Sequence, residues 1–378
     1  MAKITYVTYP GNPKAEEEIK SRSVLFIDNE VAQQVLTMED CLDVVEDAYR
    51  EFGLGRATAS RAHHEIPPLE GDTWLNWAPM VAALPRLGAV AIRIRSDFFM
   101  SRQDRLVKYA VAPGKFCGLI LLFSTRDAAP LAIMNEGHIQ HMRVAAAGGL
   151  SAKYMARQGA STLGLFGTGG MAVAHAWAIA TARPLKRIQV FSPNPEHRRA
   201  FARQVGQDLG IQVVAVDEPS QAAEGADILA ACTSARVPVV LGQWLKPGMH
   251  ALSVGHEEFD DEVFRRCHRY VYSRAPTTQS YVADPERKPP SWRGGEEYDT
   301  RWTRRERRLL PEEKMAFLSD VILGRAAGRA SDEEVTVFTS QGIPIQFTAT
   351  AYKVYEKARE QGLGRKLPLA WFLQDISD

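Results

Sequence analysis

The sequence predicts an α/β protein in which a doubly wound parallel sheet is combined with a second α/β domain. The chain has 378 residues, 45% of them apolar, which is more than one hydrophobic core usually serves. Between residues 161 and 272, short apolar segments alternate with amphipathic ones, which is typical of parallel strands linked by helices. The flanking regions follow a different pattern, so we expect them to form a separate domain.

The N-terminal flank begins with a helix and continues with strands. From Thr37, the segment MEDCLDVVEDAYREFGLG places its apolar side chains on one helical face and ends in glycines. Residues 87–95 alternate between apolar and polar, and residues 118–124 are continuously apolar, which predicts two strands of a covered sheet.

The central region has the regular alternation of a parallel sheet. Its strands are predicted at TLGLFG, RIQVFS, QVVAV, DILAAC, HALSV and RYVYS. Residues 284–313 are charged and rich in proline and glycine, which predicts an inserted loop. A strand at EVTVFTS and a helix around ATAYKVYEKARE close the chain.

A glycine-rich loop lies between the first predicted strand of this region and the helix that follows. In LGLFGTGGMA, Gly167, Gly169 and Ala172 form a G-x-G-x-x-A pattern, the fingerprint of a Rossmann dinucleotide site. Unpaired N–H groups at the start of the helix suit a pyrophosphate. A purely structural glycine turn is the alternative. The predicted cofactor contacts are Gly167, Thr168, Gly169, Gly170, Met171, Ser192, Asn194, Arg198, Thr233 and Val254.

The end of the second strand bears on the choice of dinucleotide. NAD sites usually carry an acid there for the ribose hydroxyls, whereas this chain has Phe191, Ser192, Pro193 and Asn194. Arg198 and Arg199 follow closely enough to neutralise a 2′-phosphate. We therefore expect NADP(H) to be preferred, with NAD(H) as the alternative if these residues only begin a solvated helix.

Composition excludes several classes of function. Lys and Arg number 46 against 45 Asp and Glu, so no broad positive field attracts nucleic acid or a membrane surface. The basic run Arg301–Arg308 is interleaved with acids and is better explained as a solvated loop, a lid or a dimer contact. No apolar run is long enough for a membrane span or a leader, so we expect a cytoplasmic protein. The four scattered cysteines predict buried free thiols and no metal site.

Several motifs resemble those of the ornithine cyclodeaminase and mu-crystallin family. Arg143-Val144-Ala145-Ala146, just before the glycine loop, is similar to the family's Arg-Thr-Ala-Ala helix. ADILAACTSARVPVV, LKPGMHALSVG, EFDDEVF and EVTVFTSQG match in order and spacing, so the resemblance covers residues 24–360. It implies a homodimer with a substrate-binding and dimerisation domain at 1–142 and 330–378, and a Rossmann domain at 143–329.

The resemblance also implies roles for individual residues. Arg143 matches an arginine that pairs with the substrate carboxylate, and Arg61 looks like a second one. Arg93 stands where the family has a lysine; it can hold an anion but is a poor proton donor, and Lys108 or Lys115 could replace it only if the fold brings one near.

Downstream of the strand HALSV, Glu257 lies at the position of a family aspartate, beside His256 and Glu258. We expect Glu257 or His256 to move the proton. The alternative is an acidic first helical turn favoured by the helix dipole.

Three functions remain open. The first is an NAD(P)-dependent oxidoreductase acting on the C–N bond of a small amino or imino acid, as a reductase or a dehydrogenase. The second is ornithine cyclodeamination, which the departures at Arg93 and Glu257 disfavour. The third is a non-enzymatic protein that carries NADPH and binds a small acidic ligand.

Overall fold

Two β-sheets and the helices around them form the molecule. The computed structural model describes residues 13–68, 73–102, 105–112, 114–255, 257–273, 277–282, 305–306, 308–340 and 342–374. It confirms the predicted α/β class with a doubly wound parallel sheet and a second domain.

The first sheet is mixed and is built mainly from the N-terminal flank. Its strands are β1 Ser23–Ile27, β2 Thr58–Ile66, β3 Trp74–Leu84, β4 Ala89–Arg102, β5 Arg105–Tyr109, β6 Cys117–Ser124, β7 Pro130–Asn135, β14 Thr277–Val282 and β17 Arg365–Pro368. Their order is β14-β2-β3-β4-β6-β7-β1-β17, and β5 pairs with β4. The pairs β2–β3, β3–β4 and β4–β6 are antiparallel, so residues in register share a face.

The second sheet is parallel throughout. Its strands are β8 Thr162–Phe166, β9 Arg187–Phe191, β10 Gln212–Ala215, β11 Ile228–Ala231, β12 His250–Ser253, β13 Arg269–Tyr272, β15 Met315–Phe317 and β16 Thr336–Thr339. Their order is β10-β9-β8-β11-β12-β16-β13-β15. The first of these strands along the chain, β8, lies inside the sheet and later strands are added on both sides of it, which is a doubly wound arrangement. Because all pairs are parallel, the carboxyl ends of these strands meet at one edge.

Helices cover both sheets and connect them. They are α1 Pro13–Ser21, α2 Asn29–Val35, α3 Met38–Gly53, α4 Gly137–Met155, α5 Gly170–Ala182, α6 Pro195–Leu209, α7 Pro219–Ala223, α8 Asp261–Arg266, α9 Leu318–Ile322 and α10 Pro344–Glu360. The predicted helix after Thr37 is α3, and Thr37 and Asp40 form its capping box.

Helix α4 joins the two domains and is buried on nearly every side. Two glycines permit a close approach to α5: a Cβ at Gly149 would lie 2.8 Å from the carbonyl oxygen of Ala178, and one at Gly148 would lie 2.7 Å from the ring of His175. One continuous core therefore spans the inner face of the first sheet, α4 and part of the second sheet.

Two strands lie on a different sheet from the one their chain range predicts. β14 falls within 143–329 but pairs with β2 of the first sheet. β14 is therefore the edge strand, and it covers the edge of β2. β16 falls within 330–378 but lies between β12 and β13, where all four of its residues are buried as parallel sheets require. Chain position alone therefore does not decide which sheet a strand joins.

Four further features of the sequence can be compared with the structure. Cys41, Cys232 and Cys267 are buried free thiols as predicted, but Cys117 is exposed at the start of β6. In the part of the chain that the structure describes, no helix is both long and apolar enough to cross a bilayer, and no group of His, Cys, Asp and Glu could hold a metal ion. The predicted loop at 284–313 lies largely outside the described residues.

Candidate active site at the edge of the parallel sheet

The candidate site lies where the carboxyl edge of the parallel sheet faces the first sheet. The glycine loop follows β8, Thr233 follows β11, Val254 follows β12 and Gly342 follows β16. In open parallel sheets this edge is where ligands bind. The predicted cofactor contacts Gly167, Thr233 and Val254 therefore lie in loops at one edge of the sheet.

The glycine loop has the geometry that the fingerprint requires. Gly167 has φ +107°, and a Cβ there would collide with the carbonyl of Cys232. At Gly169 an added Cβ would meet no protein atom within 4 Å, so one side of the loop is open. Ala172 is fully buried against the sheet. These residues fit a dinucleotide whose pyrophosphate lies against the start of α5.

The predicted residues at the end of β9 have partners within the protein. Asn194 caps α6, because its side-chain oxygen accepts from the N–H groups of Glu196 and His197. Arg198 is buried; it donates to the carbonyl of Ser192 at 3.0 Å and pairs with Asp217. Arg199 is exposed beside a shallow depression that Pro193, Asn194, Pro195 and Glu196 also line.

Glu258 connects the loops that follow β11 and β12. One carboxylate oxygen accepts from the N–H and hydroxyl of Thr233, and the other accepts from the N–H groups of Val254 and Gly255. Burial raises the pKa of this carboxyl group, although the hydrogen bonds oppose the shift. Glu258 therefore fixes the backbone of both predicted cofactor contacts.

Arg143 is a buried cation held by neutral groups. Its guanidinium donates to the side-chain oxygens of Gln346 at 2.8 Å and Gln140 at 2.6 Å, and lies 4.1 Å from the ring centre of Phe347. Among the described residues no carboxylate forms an ion pair with it, and its Nε has no hydrogen-bond partner. Burial, and then the charge of Arg93, lowers the pKa of Arg143 to about 9.

Arg93 is also buried, but it is neutralised. Its guanidinium forms a two-pronged ion pair with the fully buried carboxylate of Glu136. A third nitrogen contacts the sulfur of Met80 at 3.7 Å, and the group lies 5.0 Å from the ring centre of Phe347. Both arginines thus lie against the ring of Phe347. Within the described residues, a carboxylate neutralises Arg93, whereas neutral amides hold Arg143.

The remaining predicted site residues are divided between the interior and the surface. Arg61 reaches the same place, since it donates to the carbonyl of Gly342. Glu257 is partly exposed and pairs with Arg236 at 3.4 Å; within the described residues no hydrogen bond or ion pair connects it with Arg93 or Arg143. His256 lies outside the described residues.

A polar row extends along the same inner face of the first sheet. Glu65, Asn76 and Asp97 stand in register on β2, β3 and β4, and Asn76 donates to Glu65. Asp97 is fully buried, with its carboxylate 3.0 Å from Nε of Arg95. Burial raises the pKa of both acids.

Sequence reasoning misses Glu136 and Asp97. The signal for Glu136 is an acid between a buried strand and a buried helix. The signal for Asp97 is its place in the same alternation as Arg93 and Arg95 on β4. In both cases the partner is distant in sequence or on a neighbouring strand, so the pairing requires the fold.

A model described as the ornithine cyclodeaminase/mu-crystallin family matches residues 23–362, nearly the whole chain. The chain belongs to that family. This match confirms the family predicted from the motifs around Arg143 and the glycine loop.

Members of the ornithine cyclodeaminase/mu-crystallin family with assigned activities align over almost their full lengths. The chain is 29% identical over 347 residues to a Delta(1)-pyrroline-2-carboxylate reductase of Bacillus cereus, covering 91% of this chain and 99% of that protein. The structure resembles that of Thermococcus litoralis Delta(1)-pyrroline-2-carboxylate reductase in complex with NADH and L-proline, with TM-score 0.74, 26% identity and coverage of 91% and 100%. It also resembles an archaeal alanine dehydrogenase dimer with bound NAD, with TM-score 0.71, 25% identity and coverage of 92% and 99%.

Proposed function

We propose that this chain is an NAD(P)-dependent oxidoreductase acting on the C–N bond of a small amino or imino acid. The observation that carries the proposal is Arg143: a buried guanidinium at the carboxyl edge whose partners are two amides and an aromatic ring. A buried charge without a counter-ion is costly, so a small anion that enters this place gains a strong partner.

The substrate carboxylate supplies that anion. Arg143 binds it, and Arg61, which meets Arg143 at Gly342, contributes a second guanidinium from β2. Arg93 acts differently from the sequence expectation: with Glu136 it forms a neutral wall beside Met80 and Phe347 that orients the acid. A dinucleotide held by the glycine loop and by the backbone of Thr233 and Val254 would supply hydride chemistry at its nicotinamide ring. The activities of the Bacillus and Thermococcus relatives support this substrate class.

For the cofactor, we propose that the expected preference for NADP(H) rests on Arg199. Arg198 serves instead to hold the Ser192 carbonyl and Asp217, and no acid stands at Ser192–Asn194 to repel a 2′-phosphate. The neighbours with NAD or NADH make a preference for NAD(H) the alternative. Calorimetry decides between them: NADPH should bind more tightly than NADH, and Arg199→Ala should remove the difference.

For the assembly, we propose a homodimer through the outer face of the first sheet. Val81, Ile92, Ile94, Leu119 and Leu121 are neighbours there by register, and Val81 and Leu119 are exposed. An exposed apolar patch of this kind marks an interface, and the archaeal relative is a dimer. Sedimentation should give twice the monomer mass, whereas Leu119→Lys with Val81→Lys should give the monomer.

Replacing Arg143 tests the proposed function directly. Arg143→Lys keeps the charge but removes the planar fork, so kcat/KM for the imino acid should fall about ten- to a hundredfold, the value of one hydrogen bond to a charged group. Cofactor affinity should hardly change. Arg183→Lys is the control, because Arg183 is buried at the far end of α5 and donates only to carbonyls. Equal loss in both variants would mean that Arg143 has only a structural role.

A further inference from the structure

Reduction of an imine needs a proton on nitrogen as well as a hydride on carbon, and the arginines of the site are poor sources of it. Arginine keeps its proton at any ordinary pH, and Arg93 is tied to Glu136. Glu257 is partly exposed and is paired with Arg236. The source of the proton must therefore be another group that faces the same space.

Lys108 faces that space because of the register of β5. It pairs with position 99 of β4, an odd-numbered position like those of Arg93, Arg95 and Asp97. Residues in register share a face and side chains alternate along a strand, so Lys108 projects from the inner face. The charges of Arg93, Arg95 and Asp97 all act on Lys108, and Arg93 also acts on Arg143. Lys108 and Arg143 are thus both close enough to Arg93 for its charge to change their pKa values.

Asp97 lies on β4, two residues before the position that pairs with Lys108. It is fully buried, and neither carboxylate oxygen has a hydrogen bond within the part of the chain described; its carboxylate lies 3.0 Å from Nε of Arg95. Lys108 itself is exposed. The pair therefore combines a fixed, buried negative charge with an ammonium group that can exchange protons with water.

We propose that Lys108 donates the proton to the substrate nitrogen, and that Asp97 is the positioning residue that keeps the Lys108 ammonium charged. The proposal rests on the proposed function. The substrate carbon accepts the hydride carried by the reduced dinucleotide, the electron pair of the C=N bond moves to nitrogen, and nitrogen takes a proton from Lys108. The lysine nitrogen keeps the electron pair of the broken N–H bond and regains a proton from water. Amino-acid oxidation is the same step reversed.

The proposal implies a particular dependence on pH. Desolvation, together with the charges of Arg95 and Arg93, lowers the pKa of Lys108 to about 8, and Asp97 opposes this shift. Reduction requires the protonated lysine, so kcat/KM should fall as the pH rises through about 8. Removing the charge of Asp97 lowers that pKa further, so Asp97→Asn should move the fall to lower pH.

The test compares pH profiles of reduction in the full-length protein and three variants. Lys108→Met should lower kcat/KM at least a hundredfold, the usual contribution of general acid catalysis, and should abolish the fall above pH 8. Asp97→Asn should keep the fall at a lower pH. Lys115→Met is the matched control, because Lys115 lies exposed in the turn after β5, and its profile should equal the wild type.

A second measurement does not depend on turnover. The lysines can be methylated with a carbon-13 label and titrated by NMR in the cofactor-free protein, with the Lys108 signal assigned by its loss in Lys108→Arg. That signal should titrate near pH 8 in the wild type and lower in Asp97→Asn. An ordinary lysine pKa, or a Lys108→Met enzyme within twofold of the wild type, would overturn the proposal. If the wild type reduces no imino acid but Lys108 still titrates as stated, the proposed function fails and the electrostatic pair stands.

Discussion

At the scale of residues, the site is defined by two buried arginines that differ in what surrounds them. Glu136 neutralises Arg93, whereas Gln140 and Gln346 give Arg143 hydrogen bonds without adding negative charge. A carboxylate in place of either glutamine would satisfy the same nitrogen and would also remove the net charge. The amides therefore keep Arg143 in place while leaving it available to an anion.

Changing one atom of Gln346 tests this idea. Gln346→Glu places a carboxylate 2.8 Å from Arg143, so it should compete with the substrate acid and raise KM about ten- to a hundredfold. The fold should tolerate the change, because the hydroxyl of Tyr49 can donate to the new carboxylate in place of accepting from the amide. Steady-state kinetics with the cofactor saturating measures the effect. Tyr49→Phe is the control, and an unchanged KM in Gln346→Glu would show that Arg143 does not bind the carboxylate.

At the scale of elements, the glycine loop joins a buried strand to a helix through backbone geometry. Gly164 in β8 is packed so closely that a Cβ would meet the carbonyl of Ala222, whereas Gly169 faces open space. The two glycines therefore serve different ends: one permits the packing of α7 on the sheet, and the other leaves room for a ligand.

This contrast gives a pair of variants with opposite outcomes. Gly169→Val should abolish dinucleotide binding and leave the melting temperature nearly unchanged, because the added side chain meets only the space that the pyrophosphate needs. Gly164→Val should instead prevent folding. Calorimetric titration with NADH and NADPH, together with thermal unfolding, separates the two. Undiminished binding by Gly169→Val would refute the loop assignment.

Most elements could be predicted from the sequence because their signals are local. The helix after Thr37 has a capping box, and the parallel strands are short apolar runs between helices. The strands β2 and β3 are not predicted, because their inner faces carry Asn76, Arg61 and Glu65 where a strand pattern expects apolar residues. Those polar residues face the candidate site, so the apolar alternation that predicts a strand is missing there.

The site itself is predicted in part. The motifs single out Arg61, Arg93 and Arg143, and the fold brings these three side chains together. Arg61 and Arg143 meet at Gly342, which follows β16, and Arg93 and Arg143 both lie against the ring of Phe347. The internal partners Glu136, Asp217 and Arg236 could not be named from the sequence, because each is distant in the chain from the residue it pairs with. Pairing across a fold depends on register and loop geometry, which local patterns do not contain.

At the scale of the whole molecule, two buried histidines lie where α4 packs against the parallel sheet and against α5. His250 in β12 contacts Ser151 of α4 at 3.1 Å and Thr336 of β16 at 2.9 Å. His175 in α5 lies against Gly148 of α4. Burial lowers the pKa of His250 to about 3 and that of His175 to about 4, so both are neutral in the folded protein.

Stability should therefore fall in acid. Because the folded pKa values lie below the ordinary value of about 6.5, the unfolded chain binds protons that the folded one cannot. The stabilisation is complete above pH 6.5 and is lost as the pH falls, by roughly 2 kcal/mol per histidine at pH 5. Thermal unfolding measures this, and His250→Gln should flatten the decline while the exposed His197→Gln does not. An identical decline in both variants would contradict the assignment.

In the proposed function, the buried, unneutralised Arg143 and the adjoining dinucleotide loop serve net redox chemistry on an imino acid. The most direct measurement follows the absorbance of reduced nicotinamide while the enzyme is offered small cyclic and linear imino acids with NADPH or NADH. We expect oxidation of the dinucleotide in proportion to the amino acid formed. Ammonia release from ornithine with no net change in the dinucleotide, or tight binding of the acid with no turnover at all, would rule out the proposed function.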